Sequence, residues 1–281
     1  MIGLFNSHRP LAPSLFTETV NGHLTKIAGA AFVRDAERTS IAKSITYLQG
    51  RLRTYFGRDI KDQFLFGSYP RGTILPRCMD SESDIDYMVV FNDDEAQPQT
   101  YLNRLRRFVE NTYQRSVVKQ SHPTIQLELN HIRFELVPSL PAFWSEFKIP
   151  APASDFTDWM TTNPGRFNST LTDLNKAHSN HIKPTIRILK YWNAQSGYPF
   201  ESYELEKCVV ASDFSCYSFC GDLKSHVYEV VDGFSTWGAT QRRREAIQSL
   251  KTKIDTIRKL ENTGKLSEAV NRMKLLFPLI V

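Results

Sequence analysis

Residues 67–86 read GSYPRGTILPRCMDSESDID. A glycine-serine pair, Gly67-Ser68, stands before an Arg-Gly-Thr, and the run closes on two acids separated by one residue, Asp84 and Asp86. Phe64, Leu65 and Phe66 read as a short buried strand running into the Gly-Ser turn. Residues 84–91, DIDYMVVF, read as a second strand, closed by Asn92-Asp93-Asp94. Residues i and i+2 of a strand share a face, so Asp84 and Asp86 aim both carboxylates at one point while Ile85 enters the core. Two carboxylates held together repel unless a cation stands between them, and hard oxygen ligands suit Mg²⁺. A two-metal site needs a third carboxylate from a neighbouring strand. Glu135 in IRFELVP (132–138) answers that need, because Phe134 and Leu136 on either side face the core and turn it outward. Gly67 lets the backbone approach an anion closely, and its amides with the Ser68 hydroxyl can hold terminal phosphates. Asp-x-Asp alone is common on surfaces. Between a Gly-Ser turn and an apolar strand it points to metal-dependent nucleotidyl transfer with release of pyrophosphate.

Outward from this stretch the organisation is uneven. Ile41, Ile45, Leu48, Leu52 and Tyr55 recur at helical spacing, and Gly57 ends that helix. The first thirty residues mix Pro, Ser, Thr and Asn with little period and read as an arm on the surface. Downstream, Leu102, Leu105, Phe108 and Val109 mark one side of a helix. Two strands follow, at 125–129 and 132–137, joined by a tight turn near Asn130. From Lys148, the run IPAPASDFTDWMTTNPGRFNST lacks a period and reads as a connector. Everything beyond about Leu171 looks helical. The expected fold is α+β, with a small sheet and helices over residues 1–150 and a helical lobe over 151–281.

Bulk properties narrow the class without fixing it. The 281 residues are 41% apolar and 23% charged, ordinary for a globular protein. No run approaches the roughly 20 apolar residues of a membrane span, and MIGLFNSHRP has no signal-peptide pattern. Cys78, Cys208, Cys216 and Cys220 are too scattered for a disulfide framework and imply reduced thiols in a cytoplasm. The net charge of +5 suits anionic partners but also fits proteins that bind no nucleic acid.

GSYPRGT followed by SDIDYMVVF resembles the nucleotidyltransferase motif of the DNA polymerase β-like superfamily. Within it the chain looks most like the bacterial cGAS/DncV-like nucleotidyltransferases (CD-NTase, SMODS). Residues 181–206, HIKPTIRILKYWNAQSGYPFESYELE, are similar to that group's helical-lobe segment, a Lys-x-Trp followed by Ser-Tyr-x-Leu-Glu. The resemblance covers residues 64–206, and the upstream helix matches the group's spine helix. It implies a nucleotidyltransferase lobe with a small mixed sheet and a long N-terminal spine helix, packed on a C-terminal helical lobe, with the active site in the cleft between them. Asp84, Asp86 and Glu135 would hold Mg²⁺, or Mn²⁺ in its place. Gly67 and Ser68, with Lys190 and Ser202 from the helical lobe, would contact the donor triphosphate. The implied substrates are nucleoside triphosphates, ATP, GTP or the pyrimidine forms. The implied product is a cyclic or linear oligonucleotide messenger of antiphage defence, with an activating protein or nucleic acid as partner. Two departures stand out. The group usually carries Asp where this chain has Glu135, and LPRCMDSES lengthens the loop after the phosphate turn.

Other residues carry weaker signals. Lys190, on an apolar helix with Ile186, Leu189 and Trp192, would by itself read as a surface lysine laid along apolar surface. Tyr191 and Trp192 have rings that stack on bases, and Trp192 is assigned to the core. Arg71 suits either a phosphate contact or an ion pair pinning its loop. His178 and His181 with Cys208, Cys216 or Cys220 match no common zinc spacing. Arg242, Arg243, Arg244, Lys251 and Lys253 form a stripe that reads as a solvated helix face rather than a nucleic-acid surface. Beside messenger synthesis stand two rival functions, nucleotide transfer onto RNA ends or a protein and an inactive nucleotide-binding module, for which Glu135 is the only hint.

Overall fold

The computed structural model describes residues 18–92, 96–114, 116–121, 123–151, 158–215 and 221–280. Helix α1 (Val20–Ala30) precedes the long α2 (Asp35–Phe56), which ends where Gly57 takes a positive φ of 54°. Asp35 and Glu37 in its first turn complement the helix dipole. Ile41, Ile45, Leu48, Leu52 and Phe56 form its buried stripe, whereas Tyr55, expected there, is exposed.

Strand β1 (Ile60–Leu65) leads through the four-residue α3 (Ser68–Arg71) to β2 (Asp84–Phe91). Helix α4 (Pro98–Thr112) follows, then β3 (Val117–Ser121), β4 (Thr124–Glu128) and β5 (Arg133–Pro141). The strand order is β1-β2-β5-β4-β3. Only β2 and β5 run parallel in that path, and their connection passes through α4, β3 and β4, as a parallel pair requires a long crossover. Alternation then sorts the strands. Ile85, Tyr87, Val89, Phe134 and Leu136 enter one core with the stripe of α2 and with Leu105 and Phe108 of α4.

Three sequence expectations change here. Much of the supposed surface arm is α1, capped by the Thr19 hydroxyl, which accepts from the Gly22 N–H at 2.9 Å. Val20, Leu24, Ile27 and Ala28 bury its inner face, and His23 reaches the Phe277 carbonyl at 2.8 Å. Residues 1–17 of that arm lie outside the described residues. The supposed connector contains β6 (Phe147–Pro150) and β7 (Trp159–Thr162), which extend the sheet from the end of β5. Asn163 then caps α5 (Pro164–Ala177), so the helical region begins before Leu171. Residues 152–157 lie outside the described residues.

Helices α6 (Ile182–Gln195), α7 (Ser202–Val210), α8 (Leu223–Gly233), α9 (Gln241–Asn262) and α10 (Leu266–Leu276) complete the chain. A second apolar cluster gathers α1 with these helices through Leu24, Ile186, Leu189, Val227, Ile254 and Met273. Trp192 is buried in it, as expected, and so is Tyr191, whose hydroxyl donates to the Pro278 carbonyl at 2.8 Å. Leu75 and Met79, from the loop after α3, also enter this cluster and tie the Gly67-Ser68 turn to the helices.

Candidate active site

Strand register builds the acidic row. Asp86 of β2 lies directly opposite Glu135 of β5, and Glu135 lies opposite Gln126 of β4. Asp84, two residues before Asp86, faces the same way, with Arg133 as its cross-strand neighbour. The three carboxylates that the sequence singled out therefore share one face at one end of the sheet.

Their proton affinities record the crowding. Burial, then the Glu135 carboxylate, push Asp84 up to about 6, against the pull of Arg133 and Lys190. Burial, then Asp84 and Glu135, drive Asp86 well above the carboxylate range despite Arg71 and Lys190. Carboxylates that repel one another and are only partly relieved by neighbouring cations are a donor set of hard oxygens suited to a divalent ion. Among the described residues no three acidic, histidine or cysteine side chains stand at the spacing of a bound metal. Glu135 is drawn toward β4, accepting from Gln126 Nε2 at 2.8 Å and from the Thr124 hydroxyl at 3.3 Å. Asp84 accepts from Arg133 Nη2 at 3.4 Å. The donor chemistry fits a hard divalent cation such as Mg²⁺ or Mn²⁺, and Glu135 would have to leave Gln126 to join the other two.

The Gly67-Ser68 turn lies against this row. The Phe66 N–H donates to the Asp86 carbonyl at 3.1 Å, and Gly67 adopts φ 74°. A Cβ on Gly67 would stand 1.7 Å from Asp86 Oδ2, so only glycine lets the turn lie on the carboxylate. Ser68 is buried at the start of α3, and its carbonyl accepts the N–H groups of Thr73 and Ile74 at 3.0 and 3.2 Å. Those bonds close the turn at a fixed place beside Asp86.

Residues 19–175 match the SMODS domain, the Second Messenger Oligonucleotide or Dinucleotide Synthetase domain. The chain belongs to this family. It is 24% identical over 226 residues to the probable cyclic nucleotide synthase IK1_05630 of Bacillus cereus (strain VD146). That match takes in 63% of this chain and 66% of the relative, so it spans just under two thirds of the relative's length. Two solved structures share the fold. One is Escherichia coli MS115-1 CdnC with ATP, at TM-score 0.67 and 13% identity over 92% of this chain and 97% of that one. The other is Vibrio cholerae DncV cyclic AMP-GMP synthase, at TM-score 0.69 and 11% identity over 92% and 95%. Both the family and the α+β architecture are those expected from the motifs.

Within this SMODS chain the helical lobe contributes unevenly. Lys190 is not a surface lysine. It is buried on α6, with Nζ donating to Glu206 Oε1 at 3.3 Å, and its charge is felt by both Asp84 and Asp86. Ser202 is exposed in the first turn of α7. Arg71 takes the ion-pair alternative: Nε donates to Glu206 Oε2 at 2.8 Å, with Phe167 and Tyr203 against its guanidinium. The Thr73 hydroxyl donates to Glu206 Oε1 at 2.8 Å. Burial alone would raise the Glu206 carboxyl, but Lys190, Arg71 and Thr73 together bring it below its ordinary value. Sequence reasoning gave Glu206 no role, although it closes the quoted SYELE segment. Thr73, Thr124, Gln126 and Arg133 were missed as well, because only the strand pairing and the packing of α7 reveal what they face.

The remaining candidates lie elsewhere. His178 and His181 flank His226, with ring centroids 5.6 and 5.1 Å from it, and Cys216 and Cys220 lie outside the described residues. Of the basic residues of α9, Arg242, Arg244 and Lys253 are exposed, whereas the half-buried Arg243 and Lys251 are engaged within the helical region. Arg243 pairs with Glu204 at 2.8 Å, and Lys251 donates to the Asp232 carbonyl at 2.8 Å. No helix among the described residues is long and apolar enough to cross a membrane.

Proposed function

We propose that this SMODS chain is a nucleotidyltransferase that joins nucleoside triphosphates into a cyclic or linear oligonucleotide messenger, serving antiphage defence in the cytoplasm. The observation that carries this reading is the acidic row itself. Asp84, Asp86 and Glu135 share one sheet face, with the Gly67 backbone seated on the Asp86 carboxylate. Asp84, Asp86 and Glu135 would hold Mg²⁺ or Mn²⁺, which when bound neutralises the triphosphate and lowers the pKa of the attacking hydroxyl.

The chain's own residues do the positioning. Gly67 and Ser68 hold the terminal phosphates from the sheet side, and Lys190 and Ser202 hold them from the helical side. In the division into residues 1–150 and 151–281 these two groups face each other across a cleft, with α1 crossing to the helices and β7 to the sheet. A second triphosphate, ATP, GTP or a pyrimidine form, occupies that cleft as acceptor, and its hydroxyl is aimed at the donor's α-phosphate. An activating protein or nucleic acid is the expected partner.

Incubating the purified protein with the four labelled triphosphates and Mg²⁺ or Mn²⁺ tests this. A small product joined by phosphodiesters is expected: a cyclic one resists phosphatase because it has no terminal phosphate to remove, and a linear one loses only its terminal phosphates. Label moving only onto added tRNA or protein would replace messenger synthesis with transfer. Triphosphate binding without turnover would make the chain a binding module.

A further inference from the structure

The buried charge cluster behind the phosphate turn is unusual because its one acid serves both sides of the cleft. Glu206 is fully buried on α7. It accepts from Arg71 and Thr73, which flank the turn's exit, and from Lys190 on α6, at 2.8, 2.8 and 3.3 Å. Arg71 and Lys190 are themselves buried, 8% and 6% exposed, so neither cation has bulk water to stabilise it if the acid is lost. Arg71 from beside the turn and Lys190 from α6 are thus held at one buried carboxylate. A lysine ammonium on a flexible four-carbon stem has no intrinsic geometry, so its place must be set by what it bonds.

We propose that Glu206 is a positioning residue for the triphosphate. By holding Arg71, Thr73 and Lys190 at one buried carboxylate, it fixes where the Lys190 ammonium stands across from Gly67 and Ser68. This deepens the proposed function and rests on it. Glu206 touches neither the donor's reacting atoms nor the metal ligands; it acts through Lys190. Its Oε1 is shared between Lys190 and Thr73, and its Oε2 is taken by Arg71, so both carboxylate oxygens are committed. A glutamine here can accept from only one side and would offer an N–H to a cation on the other.

The test measures affinity for the non-hydrolysable α,β-methylene analogues of the four triphosphates with Mg²⁺, beside the matching nucleosides. In the parent, the triphosphate should bind far better than the nucleoside, by a margin that Lys190→Ala removes. Glu206→Gln should lose at least fivefold in triphosphate affinity while nucleoside affinity stays within twofold. Adding Glu206→Gln to Lys190→Ala should cost no more than a further twofold, because both act through one ammonium. A merely structural acid would lower the melting temperature without touching the triphosphate-to-nucleoside ratio. Glu206→Asp keeps the charge and shortens the arm, so it should fall between, and it decides the matter if Glu206→Gln does not fold. A parent-like ratio in the folded variant, or losses that multiply in full, would overturn the assignment of Glu206 alone. A parent that does not distinguish triphosphate from nucleoside would instead overturn the proposed function, and this inference with it.

Discussion

At the scale of single residues, the acidic row depends on shape as much as charge. Asp86→Asn keeps the size of the side chain but removes a charge from the proposed metal-binding set, and turnover should fall by at least a hundredfold while the melting temperature of the metal-free protein does not fall. Gly67→Ala should do similar damage by another route. Its Cβ would meet Asp86 Oδ2 at 1.7 Å, so the carboxylate must move, and the φ of 74° adds backbone strain of about 1–3 kcal/mol. An alanine variant with parental turnover would show that the turn does not set the carboxylate. Glu135 separates ligand from scaffold. If it turns from Gln126 to reach a metal, Glu135→Gln should abolish turnover and Glu135→Asp, which keeps the charge on a shorter arm, should retain part of it. If instead its bonds to Gln126 and Thr124 are its whole task, Glu135→Gln should work like the parent and the third ligand must be sought elsewhere.

At the scale of elements, periodicity made α2, β2 and α4 readable, because each has an unbroken apolar pattern of one period. Asp84–Phe91 came out residue for residue. What the sequence hid had weaker local signals. α1 carries its stripe through Val20, Leu24, Ile27 and Ala28, but two glycines and polar neighbours dilute it, and its burial comes from α6, α8 and α10 far along the chain. β6 and β7 are four residues each and β6 ends on Pro150, so their identity lies in pairing, β6 with β5 and β7 with β6, rather than in their own composition. The same holds at the site. Asp84, Asp86 and the Gly-Ser turn were legible because they are close in sequence, whereas Glu206 meets Arg71 across 135 positions. The reassignment of α1 is directly measurable. Leu24 is fully buried, so Leu24→Ala should cost about 2–5 kcal/mol in denaturant unfolding. A surface arm would lose no more than about 0.5 kcal/mol.

At the scale of the whole molecule, the crowded carboxylates link global stability to pH and to metal. Folding raises Asp84 from 3.8 to about 6 and raises Asp86 in the same direction, with burial the largest cause for both. The folded chain therefore binds protons more tightly than the unfolded chain. By linkage, the contribution of Asp84 is favourable below about pH 4 and is lost as pH rises through about 6. Metal-free protein should accordingly lose some stability across that window, and Asp84→Asn should flatten the loss. A divalent cation competes with those protons for the same oxygens, so it restores stability only where the carboxylates are ionised. Mg²⁺ should then raise the melting temperature more at about pH 7.5 than at about pH 5. Removing the cation with EDTA should return the neutral-pH protein to the lower value. Equal shifts at the two pH values, or a Mg²⁺ effect that survives in Asp84→Asn with Asp86→Asn, would mean that the ion acts elsewhere and that the acidic row is not its seat.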